Sequence, residues 1–188
     1  MIIGLTGSFG AGKGVVVDHL KTKGFRHYAA REFIVEEINK RSLPIDRNSM
    51  VAVANDLRSK YGPTYIIETL FQRAVEAGED AVIESLRAVA EADCIHKHGG
   101  VVVGIDADPE LRYRRIVGRG SETDHVTFEE WKEQERRESN PDDPTKQDIF
   151  GALRLSDHII ENNGSLQDLH SKIDEVLQKI DHNSSTTP

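Results

Sequence analysis

The sequence predicts a three-layer α/β/α protein built on a five-stranded parallel sheet, and three observations carry that expectation. Short apolar runs recur without polar alternation, the pattern of strands buried on both faces. Helix-length stretches separate them. The first run, Ile2-Ile3-Gly4-Leu5, leads into Gly7-Ser8-Phe9-Gly10-Ala11-Gly12-Lys13-Gly14 and then into Val15-Val16-Val17-Asp18-His19-Leu20. That is a strand, a glycine-rich turn and a helix start.

Strands are expected over 2–6, 24–28, 81–83, 100–105 and 158–160. Helices are expected over 14–23, 31–41, 49–60, 64–77, 109–118, 127–139 and 166–180. Several boundaries have a local cause. Asp108-Pro109 is a cap followed by a proline in the first turn. Thr127 and Glu130 have capping-box spacing. Asn163-Gly164 is a turn that hands over to Ser165 as a helix cap. Residues 118–126 and 140–145 read as loops flanking one helix. The chain has no internal repeat and reads as one domain over 1–180, with a polar, disordered tail over 181–188.

The 188 residues suffice for one domain with a substantial core. A hydrophobic content of 37% with 30% charged residues suits a soluble α/β protein. The net charge of −8 argues against nucleic-acid binding as the main role and leaves room for a local basic cleft. Cys94 is the single cysteine, so an internal disulfide and a cysteine-based metal site are excluded; it is expected to pack as a small apolar residue on a helix. No apolar run approaches the roughly 20 residues of a membrane span. With no signal-like segment before the first strand, a cytoplasmic enzyme is expected. His96 and His98, two residues apart, do not face one another on a helix, so a structural role is expected rather than a metal site.

The glycine-rich turn has the spacing G-x-x-x-x-G-K. Its glycines let successive backbone N–H groups point into one concavity. The helix N-terminus behind adds positive potential. The run from Gly7 through Ser8, Phe9, Gly10, Ala11, Gly12, Lys13 and Gly14 to Val15 is therefore the expected seat of nucleotide phosphates. Lys13 supplies a mobile charge for the terminal ones. The Ser or Thr that normally follows the lysine and touches magnesium is here Gly14.

Two further groups carry chemistry. The third strand ends in Glu84-Ser85-Leu86-Arg87, and ligands of open α/β sheets sit outside the carboxyl ends of strands. Glu84 is placed to hold magnesium through water or to position an acceptor, and Arg87 to offer a planar fork to a phosphate. The alternative is a capping carboxylate and a surface arginine. In the helix expected over 109–118, Arg112, Arg115 and Arg119 share one face, and Arg136 and Arg137 follow on the next helix. Arg115, Arg119 and Arg137 are candidates to stabilise charge on a moving phosphoryl group. The alternative is pairing with Glu122, Glu129, Glu130, Glu133 and Glu135 on a solvated surface.

On these residues the chain resembles P-loop nucleotide kinases of the adenylate kinase and dephospho-CoA kinase type. It is most similar to a family of small, mainly archaeal adenylate-kinase-related nucleotide kinases. The Gly-Lys-Gly step carries the resemblance. So do Asn55-Asp56-Leu57-Arg58-Ser59-Lys60-Tyr61-Gly62-Pro63, Val82-Ile83-Glu84-Ser85-Leu86-Arg87, the stretch 112–120, and 156–166. The resemblance implies a P-loop kinase fold with a helical lid over about 118–143. It also implies acceptor-binding helices over about 29–77 and a nucleotide base near Asn163, Gly164 and Ser165. Three positions depart from it. Val15 stands where adenylate kinases have a threonine. Val35 stands where an acceptor-binding arginine is expected, which leaves Arg31 either to reach a phosphate or to stay a surface residue. Tyr28-Ala29-Ala30 has none of the acidic residues that dephospho-CoA kinases place after the second strand.

The sequence thus predicts ATP- and Mg2+-dependent phosphoryl transfer to a small phosphorylated acceptor, most simply a nucleoside or deoxynucleoside monophosphate. An acceptor already ionised at neutral pH needs no strong base. The alternatives are dephospho-CoA kinase activity on a 3′-hydroxyl and a nucleotide-binding regulatory module with weak turnover. The partners expected are small molecules, with no nucleic acid and no membrane.

Overall fold

Five parallel strands in the order β2-β3-β1-β4-β5 form the central layer. The computed structural model describes residues 1–119, 127–138 and 147–184. In chain order the elements are β1 (Ile2–Gly7), α1 (Lys13–Thr22), β2 (Arg26–Ala29), α2 (Ala30–Lys40), α3 (Arg47–Tyr61), α4 (Tyr65–Ala77) and β3 (Ala81–Leu86). There follow α5 (Val89–Lys97), β4 (Val101–Asp106), α6 (Pro109–Arg119), α7 (Phe128–Glu138), α8 (Ile149–Arg154), β5 (His158–Glu161) and α9 (Leu166–Ser184).

Both faces of the sheet are covered, which is why its strands read as continuous apolar runs. One core joins Ile3, Leu5, Val82, Val103, Ile105 and Ile160 to α1 and α9. The other joins Ile83, Leu86 and Val102 to α2, α3, α4, α5 and Ala152 of α8. Gly4 keeps α5 close: a Cβ there would lie 2.6 Å from Leu86 Cδ1 and 2.8 Å from Ile95 Cγ1.

The Thr127 and Ser165 caps form as expected. Thr127 N–H donates to Glu130 Oε2 at 2.8 Å, and Glu130 N–H returns to Thr127 Oγ1 at 3.3 Å. Ser165 and Asp168 make the same reciprocal pair at 2.8 and 3.1 Å.

The structure also corrects the sequence reading. Two helices missing from the expected set, α5 and α8, are present. α8 has six residues, too few for a periodic signal. It is set by tertiary contacts instead: Asp148 caps Gly151 N–H at 2.8 Å while its own N–H donates to the Arg87 carbonyl at 2.8 Å. α3 starts at Arg47, two residues early, because Asp46 caps Ser49 N–H. β3 runs on to Leu86, with a register shift against β1 between Leu5 and Thr6 and a left-handed Ser85 (φ 76°). α9 extends to Ser184, so residues 181–184 of the expected tail are helical; 185–188 lie outside the described residues, as do 120–126 and 140–145 of the expected loops and residue 139 of the expected helix. His96 pairs with Asp157 (2.9 Å), and His98 Nδ1 lies 2.8 Å from the Cys94 carbonyl, so both act locally.

Glu91, in the first turn of α5, is 4% exposed. It accepts the Arg87 N–H at 2.7 Å, and Arg58 of α3 lies 4.0 Å away. Burial pushes its carboxyl pKa above the ordinary 4.5, against the pull of those partners. The folded state therefore holds this proton more tightly than the unfolded chain does. Relative to Glu91→Gln, the wild type should lose stability as pH rises from 4.5 through the raised folded value, with a constant difference above it. Urea unfolding of both proteins across the acid-to-neutral range measures this.

Candidate functional site

The loop between β1 and α1 leaves the central strand at the carboxyl edge of the sheet, beside the ends of β3 and β4. Gly7, Gly10 and Gly12 have φ of 147°, 82° and 109°. Each is also hemmed in. A Cβ on Gly7 would lie 2.2 Å from the Ile105 carbonyl oxygen, one on Gly10 2.7 Å from the Arg112 carbonyl oxygen, and one on Gly12 2.6 Å from Asn162 Nδ2. Gly14 differs: nothing lies within 4 Å of a Cβ there, and its backbone is ordinary helix.

Among the described residues, the N–H groups of Gly10, Gly12 and Gly14 have no hydrogen-bond acceptor in the protein. Ser8 Oγ is buried without a partner among the described residues. Such groups are rare in folded proteins, and here they gather in one loop at a helix N-terminus. The Lys13 ammonium donates to the Gly7 and Ser8 carbonyls at 2.5 and 3.1 Å, so its charge sits over the loop. Phe9 and Val15 are exposed on the loop's surface.

Glu84 lies beneath this charge. Val82 pairs with His27, so Glu84 and His27 share the α1 face of the sheet. Glu84 Oε2 is 3.0 Å from His27 Nε2. That hydrogen bond, with the charges of His27, Lys13 and Lys21, holds the Glu84 carboxyl below its ordinary range despite desolvation. His27 was not singled out from the sequence, because the pair spans 57 residues.

The arginine cluster divides. Arg112 is 3% exposed and turned inward. Its guanidinium donates to both oxygens of Glu135, to the Ala107 carbonyl at 2.9 Å and to the Phe9 carbonyl at 3.3 Å, and stacks over Trp131. Arg136 pairs with Glu133 at 2.8 Å on the surface. Arg115 stays at the loop and donates to the carbonyls of Asn162 (2.9 Å) and Ala11 (3.5 Å); desolvation lowers its pKa. Arg119 and Arg137 fall in α6 and α7, and their side chains lie outside the described residues.

Asn163 exchanges hydrogen bonds with Asp108, accepting its N–H at 2.8 Å and donating to its carboxylate at 3.2 Å, so its side chain braces the start of α6. Gly164 packs against Asp168. The neighbouring Asn162 was missed by the sequence reading. It is 6% exposed and donates through Nδ2 to the Ala11 carbonyl at 2.8 Å. Arg87 and Arg31 are exposed, at the end of β3 and the start of α2.

This sheet order with this loop defines a P-loop protein of the kinase fold. The chain belongs to the AAA domain family, whose model matches residues 3–140. It is 25% identical to a UPF0200 protein of Thermococcus gammatolerans, over 96% of this chain and 95% of the relative. Among solved structures it is similar to TT1252 from Thermus thermophilus, with TM-score 0.62 and 18% identity over 95% of this chain and 97% of the other. It is also similar to dephospho-CoA kinase from Campylobacter jejuni, with TM-score 0.56 and 19% identity over 95% and 96%. At these identities the likeness of structures shows the fold.

The loop geometry separates its glycines experimentally. Gly12→Ala should destabilise the protein by about 2 kcal/mol or more, because positive φ and the Asn162 contact both oppose a Cβ. Gly14→Ala should stabilise it by up to about 1 kcal/mol. Thermal denaturation of the two variants checks the contrast.

Proposed function

We propose that this protein transfers a phosphoryl group from ATP to a small phosphorylated acceptor, a nucleoside or deoxynucleoside monophosphate. The observation that carries the reading is the loop, with three amide donors that have no acceptor among the described residues and a lysine at the head of α1. A polyphosphate supplies the acceptors those donors lack. On binding, its oxygens replace the Gly7 and Ser8 carbonyls as partners of Lys13. Gly7 through Val15 form the donor-phosphate seat, and Asn163 and Gly164 border the base.

Magnesium keeps most of its waters and is held by one or two carboxylates plus phosphates. The residues fit such an ion through Glu84, kept ionised by His27. Gly14 offers no hydroxyl, and the described residues hold no cluster of three or more His, Cys, Asp or Glu. Bound magnesium would neutralise charge on the phosphates.

In this reading Arg115, Arg119 and Arg137 stabilise charge on the transferring group. Arg31 and Arg87 hold the acceptor, whose site is formed by the helices over 29–77. The segment 118–143 closes as a lid and excludes water. The reading places the protein in the cytoplasm; no described helix is long and apolar enough to cross a membrane.

A sugar 3′-hydroxyl acceptor is the second reading, favoured by the carboxylate of Glu84 close to Lys13. The depressed pKa of Glu84 makes it a weak base, which favours the phosphate acceptor.

A panel of nucleoside monophosphates and dephospho-CoA with labelled ATP decides between them. Label should pass to a monophosphate; passage to dephospho-CoA alone selects the second reading, and binding without transfer selects a regulatory module. Lys13→Ala should lower transfer about a hundredfold or more while the melting temperature stays near wild type. Full activity in that variant would rule out the assignment.

A further inference from the structure

The phosphate loop has an outer side as well as an inner one, and the outer side is gripped. The Phe9 carbonyl accepts from Arg112 Nη1 at 3.3 Å. The Ala11 carbonyl accepts from Asn162 Nδ2 at 2.8 Å and from Arg115 Nη1 at 3.5 Å. A trans peptide is planar, and its C=O and N–H point in opposite directions. Pulling the Phe9 and Ala11 carbonyls toward α6 and the end of β5 therefore turns the Gly10 and Gly12 N–H groups the other way. These are two of the amides that have no acceptor among the described residues.

We propose that Asn162 is a positioning residue that presets the loop for polyphosphate by clamping the Ala11 carbonyl, with Arg112 clamping the Phe9 carbonyl in parallel. This rests on the loop being the nucleotide-phosphate seat.

Asn162 is itself immobilised. Its N–H donates to the Asp106 carbonyl at 2.7 Å, which carries the β4–β5 pairing one step past the strands. Its carbonyl accepts from Arg115 at 2.9 Å. Its amide occupies the space that a Cβ on Gly12 would need. Gly12 thus serves twice, once for its φ of 109° and once to admit Asn162. A rotation of the Ala11–Gly12 peptide would aim the Gly12 N–H at the clamp and leave the buried Asn162 donor without an acceptor. An unliganded loop would otherwise relieve its lone amides by such rotations. Arg112 extends the device. The same guanidinium that holds Phe9 grips Glu135 of α7, so the loop and α7 share one buried anchor.

The test uses the full chain, with ATP and inorganic tripolyphosphate as probes. Asn162→Leu removes the donor at similar volume, and Asn162→Asp sets a carboxylate against the Ala11 carbonyl. Both should melt below wild type, because a buried hydrogen bond is lost, and, measured where each is still folded, both should bind ATP and tripolyphosphate about tenfold or more weakly by calorimetry. A folded variant with wild-type affinity, while Lys13→Ala binds poorly, would overturn the clamp and spare the nucleotide reading. Wild-type protein that binds neither probe would overturn both. Should the variants fail to fold, the wild-type amide resonances provide the check: tripolyphosphate should shift those of Gly10 and Gly12 more than that of Ala11, which already donates to the Ser8 carbonyl at 3.1 Å. Equal shifts would overturn the proposal.

Discussion

A polypeptide that receives a multiply charged anion on its backbone must bring several N–H groups to one point and keep every Cβ out of the way. In this protein Gly7, Gly10 and Gly12 combine positive φ with neighbours that would clash with a Cβ, and the surrounding structure leaves no slack around them. Ile105 of β4 closes on Gly7, Arg112 and Ile116 of α6 close on Gly10, and Asn162 closes on Gly12. The strand order places β1 between β3 and β4, so the loop emerges where both neighbours end. The apolar cores on the two faces hold that edge in place, and the helices around it supply the charges.

The charge distribution follows the same logic. The chain is acidic overall, yet cations gather at the carboxyl edge of the sheet. They do different work. Arg112 is buried against Glu135 and Trp131, where its ion pair must offset a desolvation cost, so it is better understood as fixing where α7 sits than as a large source of stability. Arg115 remains at the loop. Lys13 rests on loop carbonyls that a phosphate can replace, and Glu84 is held ionised from below by His27. Gly14 meets no neighbour, so its lack of a side chain is set by neither backbone strain nor packing. The hydroxyl missing from that position is an absence the fold does not demand.

Much of the fold was legible because its signals are local. Buried parallel strands write apolar runs within a few residues, and Thr127-Glu130 and Ser165 announce helix starts over three positions. The loop was legible for the same reason: strand, glycines, lysine and helix lie within 20 consecutive residues. α8 was not, since six residues carry no period and its cap leans on Arg87, far away in sequence. The arginine face on α6 was visible as spacing alone, and spacing could not tell Arg112, which turns inward, from Arg115, which stays at the site.

The sequence by itself determined the class of sheet, the glycine-rich loop after the first strand and the charged residues that could gather near it. Only the tertiary structure decided which of them meet. Asn162 reaches the loop across 151 residues, His27 reaches Glu84 across 57, and Arg112 joins Phe9 across 103. Contacts at such separations leave no mark on either partner's neighbourhood. They exist because strand order and helix packing bring the ends of β1, β3, β4 and β5 to one edge, and buried donors there must find acceptors.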